Sequence, residues 1–206
     1  MYDEATQTFL LFGGYGAAGP LSDLWSWSGD NWIPLHPRQI PPARSGASLA
    51  YDRERQVVVL FGGDAGGRIP MLLNDLWTWN GSDWIEQRSA VVPAARSDAV
   101  MVFDPDNHAL VLFGGTNGTP LADTWAWNGH NWSPLNPANA PSGRYWAAAA
   151  YDERTHLIVL FGGQGFDRSS GLSINFGETW TWNGEEWSAT AASGPAPRSL
   201  ASMAYD

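Results

Sequence analysis

Four arginines, Arg44, Arg96, Arg144 and Arg198, recur at intervals of 52, 48 and 54 residues. A guanidinium group is planar and always charged, and it can hold a carboxylate or phosphate through two parallel hydrogen bonds. A ring of four such groups around a concave mouth would focus positive potential, even on an acidic protein. A second column runs beside it. Asp23, Asp75, Asp123 and Glu178 each lie just before a tryptophan pair and are natural partners for the arginines. Two readings follow: the arginines hold an anionic ligand, or they hold the protein's own carboxylates and carbonyls.

Residues that break the repeat are the other candidates for chemistry. After each arginine comes a column of small residues, Ser45-Gly46, Ser97-Asp98, Tyr145-Trp146 and Ser199-Leu200. Asp98, Tyr145 and Trp146 interrupt it, and Trp146 is the one tryptophan of thirteen that lies off the repeat. The segment Gln164–Gly177 is the longest of its kind and carries Phe166, Asp167, Arg168, Asn175 and Phe176. Aromatic and arginine side chains on one rim are the composition of binding hot spots. The candidate ligand-binding set is therefore Arg44, Arg96, Asp98, Arg144, Tyr145, Trp146, Arg168 and Arg198. Tyr145 and Trp146 could equally fill a gap between structural units.

Other chemistries find little support. The chain has no cysteine, so thiolate sites and disulfides are excluded. His36, His108, His130 and His156 show no metal-ligand spacing; His108 and His156 share one repeat position, which Gln56 and Thr8 fill in other copies. The Glu185-Glu186 pair lies on a turn, a poor place for tuning a catalytic carboxylate. No metal or cofactor is expected. The formal charge of −10 disfavours nucleic-acid and anionic-membrane partners. Met1-Tyr2-Asp3-Glu4 shows no signal-peptide pattern, and no run of eighteen apolar residues predicts a membrane span.

The elements that position these residues follow from periodicity. Phe-Gly-Gly occurs at 12–14, 61–63, 113–115 and 161–163. Trp-x-Trp occurs at 25/27, 77/79, 125/127 and 180/182, and a third tryptophan follows at 32, 84, 132 and 187. Aromatic-Asp pairs stand at 2–3, 51–52, 103–104, 151–152 and 205–206. Each period reads as four short strands, A to D. The runs Val57–Phe61, Ala109–Phe113 and Leu157–Phe161 are β-branched or aromatic and bounded by turn residues. Tryptophans two apart share one face of a strand. Asn80-Gly81, Asn128-Gly129 and Asn183-Gly184 predict tight hairpins, and Asp52, Asp104 and Asp152 predict side-chain-capped turns. The glycine pairs lack a following Gly-Lys and helix, so they predict turns and close backbone approach, not phosphate binding.

A strand ending in Gly-Gly, then an acidic residue, a tryptophan pair and a further tryptophan at a period near 50 residues, resembles the kelch repeat, and the resemblance covers the whole chain. It implies an all-β kelch-type propeller of four four-stranded blades per chain, with repeat units at about 1–40, 41–92, 93–140 and 141–194. It further implies that 195–206 is a terminal strand A completing the N-terminal blade. The ring is then closed by one chain, by two chains sharing eight blades, or by further repeats of a longer array. In kelch domains that bind acidic peptides, arginines at such positions line the binding face. The resemblance implies that role at Arg44, Arg96, Arg144 and Arg198. The function it suggests is a binding or scaffold module for an anionic ligand, acidic peptide or protein. Alternatives are a mutarotase- or hydrolase-like sugar enzyme using arginine and Asp98, and a purely structural half-propeller that self-associates. Kelch-type copper oxidases use a cysteine crosslinked to tyrosine, so that route is closed here.

Overall fold

Strand formation follows the apolar runs. In the computed structural model, which describes residues 1–167, 170–190 and 193–206, four four-stranded antiparallel sheets follow one another along the chain. The first contains β1 (Tyr2–Asp3), β2 (Thr8–Gly16), β3 (Gly19–Trp27) and β4 (Trp32–Leu35). The second contains β5 (Ser48–Asp52), β6 (Val57–Asp64), β7 (Leu72–Trp79) and β8 (Trp84–Gln87). The third contains β9 (Val100–Asp104), β10 (Ala109–Phe113), β11 (Thr124–Trp127) and β12 (Trp132–Leu135). The fourth begins with β13 (Ala148–Asp152) and β14 (Leu157–Phe161). A small ribbon of β15 (Gln164–Phe166) and β16 (Ser173–Asn175) intervenes, and β17 (Thr179–Trp182) and β18 (Trp187–Ala189) complete the sheet. Each sheet is a meander in chain order, so this is a propeller-like all-β fold.

The turns are built by the residues the repeat singles out. Asp3, Asp52, Asp104 and Asp152 each accept backbone N–H bonds from two and three residues ahead, at 2.9–3.3 Å. The position of positive φ after this turn holds Gln7, Gln56, His108 and His156. Gln7, not Thr8, therefore shares the column with the two histidines. The Asn-Gly hairpins are longer than two residues. Trp79 pairs with Trp84, leaving a four-residue loop in which the Asn80 side chain caps the backbone of Ser82 and Asp83. That cap makes a left-handed asparagine unnecessary, and of the Asn80-Gly81 pair only Gly81 has positive φ.

The core lies between successive sheets. Phe12 of the first sheet packs on Trp84 of the second, Phe61 on Trp132, and Phe113 on Trp187, with ring centroids 5.1–5.4 Å apart. Such aromatic pairs contribute beyond simple area burial. One junction adds a polar contact: the Trp187 indole N–H donates to Thr124 Oγ1 at 3.0 Å in a buried setting. Leu24 and Leu76 occupy the Thr124 position in the first two sheets, where the Trp84 and Trp132 indole N–H groups are buried without a partner. Thr124→Val keeps the shape and removes the acceptor. It is expected to cost about 1–2 kcal/mol in chemical denaturation; a change below a few tenths would mean that water already serves this indole.

The end of the chain differs from the sequence-based expectation. Residues 195–206 form no strand. They lie along the fourth sheet, where the Arg198 amide donates to Phe176 O and the Leu200 amide to Trp146 O. The innermost place in the first sheet is held by β1 itself, through Tyr2↔Phe9 and Asp3↔Thr8, with Met1 bonded to Leu10 in both directions.

Candidate functional site

Each arginine sits where one sheet hands the chain to the next. The Arg44 amide donates to Leu21 O, and Arg44 O accepts from the Gly14 amide, which ties its backbone to the first sheet. Its side chain reaches into the second. Nη1 donates to Gly62 O at 2.9 Å and to Asp75 Oδ1 at 2.6 Å, Nη2 donates to Asp75 Oδ2 at 2.7 Å, and Nε donates to Pro42 O at 2.9 Å. Arg96 repeats this between the second and third sheets, through Ala94 O, Gly114 O and both oxygens of Asp123. Arg144 repeats it between the third and fourth, through Ser142 O, Gly162 O and Glu178 Oε1, with its guanidinium 4.0 Å from the centre of the Phe176 ring.

These three residues are only 1% exposed. They do not line an open mouth, and the ligand role expected for Arg44, Arg96 and Arg144 is replaced by an internal one. The physical reason is the acidic column. A carboxylate placed just before each tryptophan pair lies within bidentate reach and is itself steadied by the neighbouring indole, as in Trp77 Nε1 to Asp75 at 2.7 Å and Trp125 Nε1 to Asp123 at 2.7 Å. Burial pushes the carboxyls of Asp75, Asp123 and Glu178 upward, but hydrogen bonds and charge from the arginines, with help from the neighbouring indoles, outweigh it and hold all three below their ordinary values. The glycine pairs belong to the same device. A Cβ on Gly62, at φ +65°, would stand 2.6 Å from Arg96 O, so only glycine admits the carbonyl that the next amide binds.

Arg198 is different. It is exposed, and its Nε donates to Ala196 O at 2.9 Å. Arg168 lies outside the described residues. Phe176, from the long segment, is engaged under Arg144, whereas Phe166 is exposed at the ribbon.

The repeat-breaking residues do come together. Gly46, Asp98, Trp146 and Leu200 occupy one column, all with φ between 57° and 62°. The column is stitched from sheet to sheet by backbone bonds: Asp98 N to Gly46 O, Trp146 N to Asp98 O and Leu200 N to Trp146 O, at 2.7–3.1 Å. A shallow cleft of about 260 Å³ opens there, lined by Gly46, Asp98, Trp146 and Leu200 with their alanine neighbours. The Asp98 carboxylate lies over Gly46, where a Cβ would be 2.5 Å from Oδ1. Burial raises the Asp98 carboxyl above its ordinary value, against hydrogen bonds from the Ser97 hydroxyl and the Trp146 indole, and the Asp64 charge raises it further. Tyr145 packs edge-on against Trp146 at 4.7 Å and donates its hydroxyl to Gln164.

Around the aspartate-capped turns, sequence reasoning missed a second cavity, of about 340 Å³. Tyr2, Tyr51 and Tyr151 line it, with Arg53 held between Glu4 at 2.8 Å and Glu153 at 2.6 Å. The aromatic-Asp pairs were visible as repeat markers. That their aromatics converge on one mouth follows only once four sheets are placed around a common centre. Among the described residues no group of three or more His, Asp or Glu could hold a metal ion.

No family model and no curated protein sequence matches this chain. Among solved structures, it is similar to that of YjhT, with a TM-score of 0.72 and 14% identity over 96% of this chain and 70% of that one. At that identity the likeness establishes the fold.

Proposed function

We propose that the chain is a non-enzymatic binding and scaffold module of the kelch-repeat propeller type, and that its ligand sits at the Asp98–Trp146 mouth. The repeat resemblance supports the family reading. One observation carries the functional reading: Arg44, Arg96 and Arg144 bind Asp75, Asp123 and Glu178, while the non-repeating Asp98 and Trp146 face the cleft. The local charge reverses the expectation of an anionic ligand. Asp98 and the nearby Asp64 are both carboxylates, and an indole face attracts cations. The ligand is a cationic group, such as a lysine or arginine side chain of a peptide. The Asp98 carboxylate accepts its hydrogen bond from the Ser97 hydroxyl, at 2.8 Å, which is not an acid–base partner, so binding is favoured over turnover.

A thermal-shift screen of basic peptides, acidic peptides and neutral sugars tests this. A ligand at 100 times its dissociation constant stabilises by about 2.7 kcal/mol. Basic peptides are expected to give that shift with the wild type and to lose it with Asp98→Asn and with Trp146→Ala. Binding should strengthen as pH rises through the raised Asp98 value, because only the ionised form attracts a cation. A shift confined to acidic peptides or sugars would sink the reading.

A further inference from the structure

Ser45, Ser97 and Tyr145 each stand one residue before the column that forms the mouth. Each is bridged antiparallel to the residue that follows a glycine pair of its own sheet: Ser45 to Asp64, Ser97 to Thr116 and Tyr145 to Gln164. The segment beyond each glycine pair therefore starts beside the mouth.

In the second sheet that segment runs from Asp64 through the loop 65–71 to β7, and its base is clamped. Asp64 Oδ1 accepts from the Gly66 amide at 2.8 Å and from the Met71 amide at 2.9 Å, and the Ala65 amide donates to Met71 O at 2.9 Å. Gly66, at φ +78°, lies so close to Pro20 of the first sheet that a Cβ would stand 2.6 Å from the proline ring. Pro70 keeps the residue before it out of the helical region. The loop has a fixed shape, and it holds two large apolar side chains in solvent: Ile69 is 80% exposed and Met71 57%.

The fold does not require them. The matching segment of the third sheet closes through a Thr116–Pro120 bridge and carries Asn117, Gly118 and Thr119 instead. A lone exposed apolar residue needs no explanation. Two within three residues, on a clamped loop beside an acidic cleft, make an anchor that is ordered before any partner arrives. The carboxylate that clamps the loop is also the charge that reaches Asp98. Arg68, exposed next to Ile69, confines the cation-attracting zone to the cleft.

We infer that the partner at this mouth is an extended protein segment that puts a lysine or arginine into the Asp98–Trp146 cleft and a bulky apolar side chain against Ile69 and Met71. The inference rests on the cationic-ligand reading of the cleft and adds the partner's second anchor. The Asp98 carboxylate lies over Gly46, Gly46 adjoins Ser45, and Ser45 faces Asp64. One peptide step and one antiparallel bridge together span about 8–9 Å. An extended chain advances about 3.3 Å per residue. The apolar residue therefore belongs two to four positions from the basic one.

Fluorescence-anisotropy titration with labelled synthetic peptides is the test. Each peptide carries a single lysine. One set has leucine two, three or four positions from it, on either side, and the reference has serine throughout. The wild-type chain is expected to bind the best leucine peptide ~10-fold more tightly than the serine peptide, or better. Ile69 and Met71 are exposed, so an Ile69→Ser/Met71→Ser double variant should fold as the wild type does. In it the leucine gain is expected to vanish, with the serine peptide bound as before. Asp98→Asn should weaken every peptide. Equal wild-type affinity for all peptides overturns the inference, as does a leucine gain that survives in the double variant; the cleft reading then stands if Asp98→Asn still weakens binding. Peptides that bind Asp98→Asn unchanged, or that fail to bind the wild type at all, overturn the cleft reading and this inference with it.

Discussion

Replacing Arg96 by methionine is expected to lower the unfolding free energy by about 3 kcal/mol, measured by urea denaturation of dilute chains. Methionine fills much of the volume but donates no hydrogen bond. The Ala94 and Gly114 carbonyls lose a donor inside the junction, and Asp123 loses the guanidinium that compensates its charge. Removing one partner of a fully buried pair costs about 3–5 kcal/mol. The lower end applies here because the Asp123 side chain retains 39% of its exposure and water can solvate part of its charge. Arg88, whose side chain is 88% exposed, is the control, and Arg88→Met should stay within about 0.5 kcal/mol of wild type. An Arg96→Met variant within 1 kcal/mol of wild type would show that the tryptophan packing alone holds the sheets together.

The same pairs set the acid limit of stability. The carboxyls of Asp75, Asp123 and Glu178 have lower values folded than unfolded, so the unfolded chain takes up protons first as pH falls. Their stabilisation is complete above the ordinary carboxylate value of about 4. It is lost as pH drops through the depressed folded values. In Arg96→Met the Asp123 share of that dependence should disappear, which flattens the stability curve in acid.

Trp132→Ala is expected to cost about 3–5 kcal/mol, whereas Trp32→Ala should cost under about 1 kcal/mol. Both residues occupy the same place in the repeat. Trp132 is wedged between Phe61, at 5.1 Å, and Trp127, at 5.6 Å, and its removal leaves a cavity that two sheets cannot both relax into. Trp32 touches Trp27 at 5.4 Å but has no sheet over it. Equal losses at the two positions would mean that the first sheet's face is already covered in the isolated chain.

The repeat made the strands legible because their signals are local. Ala109–Phe113 and Leu157–Phe161 begin and end where β-branched runs and turn residues place them. Phe-Gly-Gly marked the close backbone approach for the same reason. The site was harder to read. Arginine and carboxylate 27 to 34 residues apart form an ion pair only after the sheets stack, and the sequence alone fits an inward partner as well as an external ligand. Asp98 and Trp146 stood out as breaks in a small-residue column. That they meet across a junction depends on the backbone bond between them, which no side-chain pattern encodes. The terminal segment matches strand A in sequence but forms no strand, because a strand needs a neighbouring edge and β1 already occupies that place in the first sheet.

That backbone stitching separates the identity of the mouth from its construction. Glycine, aspartate, tryptophan and leucine all occupy the column at φ near +60°, and the bonds between sheets use main-chain atoms alone. Each non-glycine residue there carries a conformational penalty of about 1–2 kcal/mol; the fold tolerates three of them. A lineage, or a designer, can therefore exchange the side chains at the three non-glycine slots one at a time and obtain a new recognition surface without renegotiating the framework beneath it, while Gly46 stays glycine under the Asp98 carboxylate.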